Sequence, residues 1–151
     1  DNLDFSTTYT DSGDYHVFMV LDLSQESNET FLSSVDNSSF MRFGQGGTSE
    51  DFRMKNGGTT LNITLSSGFG TTKAIAEVTR NSSNVVRVLK NGVSLGSGTG
   101  SGTFGFEQIG TSSNSLTSAT IFEVVIFSSA LSSADATKVR NDIADRNSIS
   151  L

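Results

Sequence analysis

The sequence predicts an all-β protein: two antiparallel sheets stacked as a sandwich, with one short helix at the C-terminus. Three observations carry this reading. From Asn84 the chain reads NVVRVLKNGVSLGSG, a tight hairpin. Short runs of period-two apolar alternation recur along the chain, bounded by Gly, Asn and Ser. The final stretch SSADATKVRNDIADR has the only helical pattern. Strands that follow one another without intervening helices favour a sandwich over a βαβ fold.

The first strand to stand out is Tyr15–Leu23. Tyr15, Val17, Met19, Leu21 and Leu23 share one face, and His16, Phe18, Val20 and Asp22 the other. Both faces are largely apolar, so this strand belongs mid-sheet, covered on each side. The polar run Gln25–Thr30 reads as an exposed loop. Phe31–Val35 and Phe40–Gly44 read as a strand pair joined across Asp36-Asn37-Ser38, a turn-forming set. Gln45–Glu50 is a Gly-containing loop, Phe52–Lys55 a short strand, and Asn56-Gly57-Gly58 a turn. Thr59–Leu65 sets Leu61, Ile63 and Leu65 against Thr60, Asn62 and Thr64. Thr72–Arg80 carries Ala74, Ala76 and Val78 on one face, with Ile75 and Glu77 on the other.

Asn91-Gly92 accepts positive φ at both central positions, which gives the type I′ turn of a two-residue hairpin. That loop places Lys90 opposite Val93 and Val88 opposite Leu95. A Gly/Ser stretch over Gly96–Gly102 reads as a loop, and Phe104–Gly110 as the next strand. Ala119–Phe127 reads as a second central strand, with Phe122, Val124 and Ile126 opposed to Ile121, Val125 and Phe127. The helix starts with Ser132 as N-cap and Asp135 at N3. It is expected to run to about Arg146, anchored by Val139 and Ile143. The total is about ten strands.

The chain of 151 residues suits one domain, 1–151, large enough to bury a core. Hydrophobic residues are 34% and charged residues 17%, so its surface is rich in hydroxyl and amide groups. The net charge of −6 argues against a nucleic-acid partner, whose backbone demands clustered Lys and Arg. There is no cysteine, hence no disulfide framework and no thiolate chemistry. No apolar stretch is long enough for membrane insertion. Sequons at Asn28, Asn37, Asn62 and Asn81 read as chance products of an Asn/Ser/Thr-rich chain.

Catalysis on such a sandwich would need paired carboxylates facing one cleft. Glu50 and Asp51 are adjacent and would point to opposite sides of an extended chain. Glu123 stands alone in an apolar strand, where pairing with a basic side chain on a neighbouring strand explains it better than general-acid chemistry. His16 is the only histidine, so no two-histidine metal site can form, and it reads as a satisfied structural residue. The Gly-rich runs lack the Lys-Ser/Thr of a phosphate-binding loop. No catalytic residue and no resident cofactor are expected; Asp36, Glu50 and Asp51, which flank turns, are candidate calcium ligands. Sugar faces stack on exposed Trp or Tyr, yet there is no Trp and there are two Tyr beside 11 Phe. Tyr15 faces inward, which leaves Tyr9 as the candidate carbohydrate-binding residue.

YHVFMVLDL, the VLKNGVSLGSG hairpin, FEQIG and FEVVIFSSALSSADATKVRNDIADR together resemble a concanavalin A-like lectin/glucanase domain of the laminin G-like type. The matching elements are Asn91-Gly92, Ile109-Gly110, Glu123–Phe127 and Ala130-Leu131-Ser132, from about Asp14 onward. The resemblance implies a jelly roll and no particular activity. Members of that family usually carry further N-terminal strands before the segment matching Asp1–Phe5. The chain is therefore expected either to be the C-terminal part of a longer protein or to have its open edge completed by another chain. Its low-charge, disulfide-free composition resembles the lectin-like domains of bacteriophage virion proteins. The expected function is a non-enzymatic structural or adhesion module on a virion surface, such as a capsid decoration or tail-fibre domain. Its partners would be other virion proteins, copies of itself and cell-surface glycans. The alternative is an extracellular carbohydrate-binding accessory domain of a secreted bacterial polysaccharide-active enzyme.

Overall fold

The computed structural model describes residues 3–11, 13–25, 28–44, 51–112, 115–116 and 118–151. Among these, strands form two large antiparallel sheets. The six-stranded sheet runs β1 (Leu3–Asp11), β10 (Phe104–Ile109), β3 (Glu29–Ser33), β4 (Phe40–Phe43), β5 (Asp51–Asn56), β6 (Thr59–Thr64). The five-stranded sheet runs β13 (Ala119–Phe127), β2 (Tyr15–Leu23), β7 (Ala74–Arg80), β8 (Val85–Lys90), β9 (Val93–Thr99). A two-residue pair, β11 (Thr111–Ser112) and β12 (Ser115–Leu116), and one helix, α1 (Ser133–Asn147), complete it. This is the two-sheet jelly-roll sandwich with a C-terminal helix that the sequence predicts.

The main core lies between the sheets. Tyr15, Val17, Met19 and Leu21 of β2 meet Phe43, Phe52 and Met54 of the opposite sheet. Ring pairs such as Phe43–Phe69, stacked at 4.6 Å, and Phe31–Phe43 at 5.3 Å tie the layer together. A second core forms on the far side of the five-stranded sheet, where Phe18, Val20 and Ile75 are covered by Ala136, Ile143 and Ala144 of α1. Both faces of β2 are thus buried, as its composition demands.

The helix begins where the sequence places it. Ser132 is the N-cap, and its hydroxyl accepts from the Asp135 backbone N–H at 3.1 Å. It ends at Ser148, which takes left-handed geometry at φ 54°. A buried ion pair fixes the helix to the sheet: Arg140 Nε and Nη2 donate to Glu77 Oε1 and Oε2 at 2.6 and 3.0 Å. The hairpin turn has φ of 50° at Asn91 and 82° at Gly92, as type I′ requires. A Cβ on Gly92 would also sit 2.7 Å from Cζ of Arg140, so the turn glycine makes room for the guanidinium.

Several expectations are corrected. The Gln25–Thr30 segment is not wholly an exposed loop: Glu29 and Thr30 are buried in β3, and Glu29 Oε2 accepts from the Ser118 backbone N–H at 2.6 Å. A backbone donor makes room there for a carboxylate, which polarity alone could not indicate. Leu3–Asp11 is a full strand that the sequence reading passed over. The Gly96–Gly102 run is not all loop, because β9 extends to Thr99. Its glycines face β6 across the sandwich, where a Cβ on Gly96 would lie 2.8 Å from Thr64 O. Val88 pairs with Gly96, not Leu95, because a bulge between Val88 and Leu89 leaves Leu95 as the extra residue of β9, while Lys90 pairs with Val93 as expected. β13 is an edge strand, not a central one. A second irregularity between Ile121 and Glu123 resets its alternation, so Ile121 joins Val124 and Ile126 on the core side.

Two outcomes follow from this packing. Gly96→Ala is expected to lower stability by about 1–3 kcal/mol through overpacking against β6, and an unchanged denaturation midpoint would refute that close approach. Arg140→Leu strands a buried carboxylate and should cost about 3–5 kcal/mol. Adding Glu77→Leu should recover most of that loss in a double-mutant cycle read by chemical denaturation.

Candidate functional site

Among the described residues no helix lies over the outer face of the six-stranded sheet, and its alternation decides what is offered there. Along β1, Tyr9 turns toward the interior while Thr8 and Thr10 turn outward. Along β10, Phe104 and Phe106 turn inward and Gly105 and Glu107 outward. Gly105 leaves the floor low, since a Cβ there would touch Thr10 Cγ2 at 3.3 Å. The β3–β4 turn closes one side. The result is a shallow hollow of about 400 Å³ in which Thr8, Thr10, Ser38 and Thr103 present hydroxyls and Asp36 and Glu107 present carboxylates.

The acceptors in this hollow are preset. Asp36 Oδ1 accepts from the Ser38 backbone N–H at 2.9 Å and from the Ser34 hydroxyl at 2.7 Å. Those bonds, the backbone one foremost, bring its carboxyl pKa down to about 2, so it is an ionised acceptor at neutral pH. Asn37 turns the corner with φ 58°. Glu107 takes the Thr8 hydroxyl on one oxygen and the Val35 backbone N–H, at 3.4 Å, on the other. Farther along the same sheet, Arg42 and Arg53 sit directly opposite each other on β4 and β5. Their guanidiniums lie 4.9 and 5.8 Å from the ring centre of Phe40, a buried aromatic roofed by the two cations. Burial and then the neighbouring Arg53 charge lower the Arg42 pKa.

The residues singled out from sequence are spread over the molecule. Tyr9 is half-buried against Phe106, with ring centres 5.2 Å apart, and donates its hydroxyl to Asp11 at 3.1 Å. Burial, then the charge and hydrogen bond of Asp11, push its pKa up to about 12. It walls a crevice of about 520 Å³ between the sheets at the β1–β13 side, with Phe106, Ile109, Val124 and Ile126, and so lies off the outer face. Asp36 and Asp51 stand at opposite ends of β4, and Glu50 lies outside the described residues. Among the described residues no three acidic, histidine or cysteine side chains gather as a metal site. Glu123 is paired, but with Arg146 at 2.6 Å and Asn147 at 2.7 Å, on the helix and not on a neighbouring strand. His16 is buried and stacked on Phe18 at 4.3 Å, with Nε2 3.5 Å from Glu77 Oε2 and no well-formed hydrogen bond at either ring nitrogen.

Sequence reading missed Thr8, Thr10, Ser34 and Glu107 as site residues. One signal was present: Thr8 and Thr10 flank Tyr9 with the period of a half-buried strand. Chemically the hollow offers fixed acceptors and hydroxyls that donate and accept, the functions that polyols match.

The comparisons with known proteins bear on the fold. No family model and no curated protein matches this chain. Solved structures do. The botulinum neurotoxin serotype D binding domain aligns at TM-score 0.58 and 13% identity, covering 93% of this chain and 42% of that one. The chain shares their β-sandwich fold. The binding domain of botulinum neurotoxin DC, solved in complex with SialylT, aligns at TM-score 0.56 and 14% identity over 87% of this chain and 36% of that one. The binding domain of Paraclostridial Mosquitocidal Protein 1 gives TM-score 0.57 and 15% identity over 90% and 38%. The sandwich therefore spans about two fifths of the length of these neighbours. Among its described residues no helix is long and apolar enough to cross a membrane.

The Asp36 clasp gives a pH test. Its folded pKa lies below the ordinary 3.8, so the stability it adds is in place above about 3.8 and is lost as pH falls toward 2. Ser34→Ala should raise that pKa toward the ordinary value, as read by carboxyl-carbon NMR titration. An unmoved titration would exclude the hydroxyl as a cause.

Proposed function

We propose that the chain is a non-enzymatic adhesion module that holds a glycan on the outer face of its six-stranded sheet. The observation that carries this is the hollow in which hydroxyls of Thr8, Thr10 and Ser38 surround the preset carboxylates of Asp36 and Glu107. Sugar hydroxyls need such mixed donors and acceptors, and a low glycine floor lets a ring approach the sheet. The shallow relief and a described lining without an aromatic ring fit weak, multiply repeated binding more than a tight single site. Asp36, held ionised, is unsuited to serve as a general acid, which favours binding over hydrolysis.

The solved neighbours support the reading by kind: each is described as a binding domain, one in complex with SialylT and another in complex with rat synaptotagmin II. Those ligands belong to chains more than twice as long as the part aligned. The 151 residues are read as one domain. Its placement on a virion surface, as capsid decoration or tail-fibre part, rests on the hydroxyl-rich, low-charge composition alone. Imaging this chain on assembled particles tests that placement.

Glycan-array binding by the folded protein, reduced about tenfold or more by Glu107→Gln or Asp36→Asn, is the expected result. Binding that survives both variants but vanishes in Tyr9→Ala would move the site to the β1–β13 crevice. Polysaccharide turnover lost in Glu107→Gln would replace adhesion by catalysis.

A further inference from the structure

A second hollow lies on the opposite side of the sandwich, between α1 and the outer face of β2, β7 and β8. It measures about 380 Å³, within the usual range for small-molecule sites. Val85, Leu89, Leu131 and Ala136 form its apolar walls, and His16, Glu77, Arg87 and Arg140 its charged and polar ones. We propose that this hollow binds a small organic monocarboxylate, its carboxylate set toward Arg87, Arg140 and His16 and its apolar body against the walls.

Charge is the first argument. Glu77 is fully buried and is held at both oxygens by Nε and Nη2 of Arg140. That pair cancels within the wall and leaves Arg140 Nη1 without a bond to Glu77. Arg87 of β8, opposite Thr79 of β7, then remains as the uncompensated charge of the lining. Two arginines against one carboxylate give a net charge of +1 in a chain whose net charge is −6. One negative group matches that surplus. A doubly charged phosphate would exceed it, and a neutral ligand would leave it unused.

His16 is the second argument and is independent of the arginines. It is 4% exposed and faces the helix, where the neighbouring outward positions of the same sheet carry Phe18, Val20 and Ile75. An aliphatic residue would fill this place without loss. Instead the chain buries an imidazole, stacked on Phe18, neither of whose ring nitrogens makes a well-formed hydrogen bond. Nε2 stands 3.5 Å from Glu77 Oε2, too far for a well-formed bond. Glu77 is held by Arg140 at shorter distances, so a carboxylate bound in the hollow would give the ring N–H a closer acceptor.

The same histidine provides the measurement. It is the only one in the chain, so its imidazole C–H signals in a proton NMR spectrum report on this hollow alone. Titration of the whole protein with benzoate is expected to shift those signals to saturation. Benzamide, neutral and of the same shape, and sodium chloride at equal ionic strength are expected not to. Arg87→Gln, at an exposed position, should weaken the benzoate response about tenfold or more. Thr137→Phe, which puts a ring into the hollow from α1, should abolish it. Glu107→Gln, on the other sheet, should leave it unchanged, which separates this site from the glycan groove. The proposal fails if the shift is absent or does not saturate. It fails equally if benzamide reproduces the shift, or if both Arg87→Gln and Thr137→Phe leave it intact.

Discussion

Strand β2 has no face it can show to water. Tyr15, Val17, Met19 and Leu21 fill one side, and Phe18 and Val20 the other, all essentially inaccessible. Each such side chain is worth roughly 1.5–3 kcal/mol when buried. The molecule must therefore cover β2 twice. The six-stranded sheet covers one side and α1 the other, and every other element is arranged to hold those two covers in place. The helix is steered by Arg140 onto Glu77, a contact that specifies position more than it adds stability, because desolvating both charges offsets most of their attraction.

The division of labour between surfaces follows. With α1 committed to the five-stranded sheet, the outer face of the six-stranded sheet is left open, and its alternation fills it with threonine, serine and carboxylates. The covered side, by contrast, traps a hollow beneath the helix, half apolar and net positive. One face suits hydroxylated surfaces that approach from outside. The other suits a compact anion with an apolar body. Neither use disturbs the main core.

What could be read from the chain followed from local chemistry. The Asn91-Gly92 turn, the Ser132 cap and the two-faced character of Tyr15–Leu23 each depend on a few neighbouring residues, and each is found in place. The errors come from effects that act between distant residues. Bulges between Val88 and Leu89 and near Phe122 shift side chains to the other face, and period-two counting does not register them. The Gly96–Thr99 run looked like a loop because its reason for being glycine lies on β6, some thirty residues earlier in the chain. Glu29 fell in a segment read as exposed and Glu77 was given no partner, yet each is buried against a remote segment, at Ser118 and Arg140. The groove was missed for the same reason. Thr8, Asp36 and Glu107 share it only because β1, β10 and the β3–β4 turn are brought together by the sheet order.

The sandwich is also lopsided. Along β6 and β9 the glycines let the layers nearly touch, while at β1 and β13 the layers part around an apolar mouth rimmed by two unpaired strand edges. Those rims are irregular: β1 slips register between Asp4 and Tyr9, and β13 between Ile121 and Glu123. Kinked borders are poor templates for a stranger's backbone. A descendant of this chain with both slips ironed out would offer two straight borders to which a further backbone could pair.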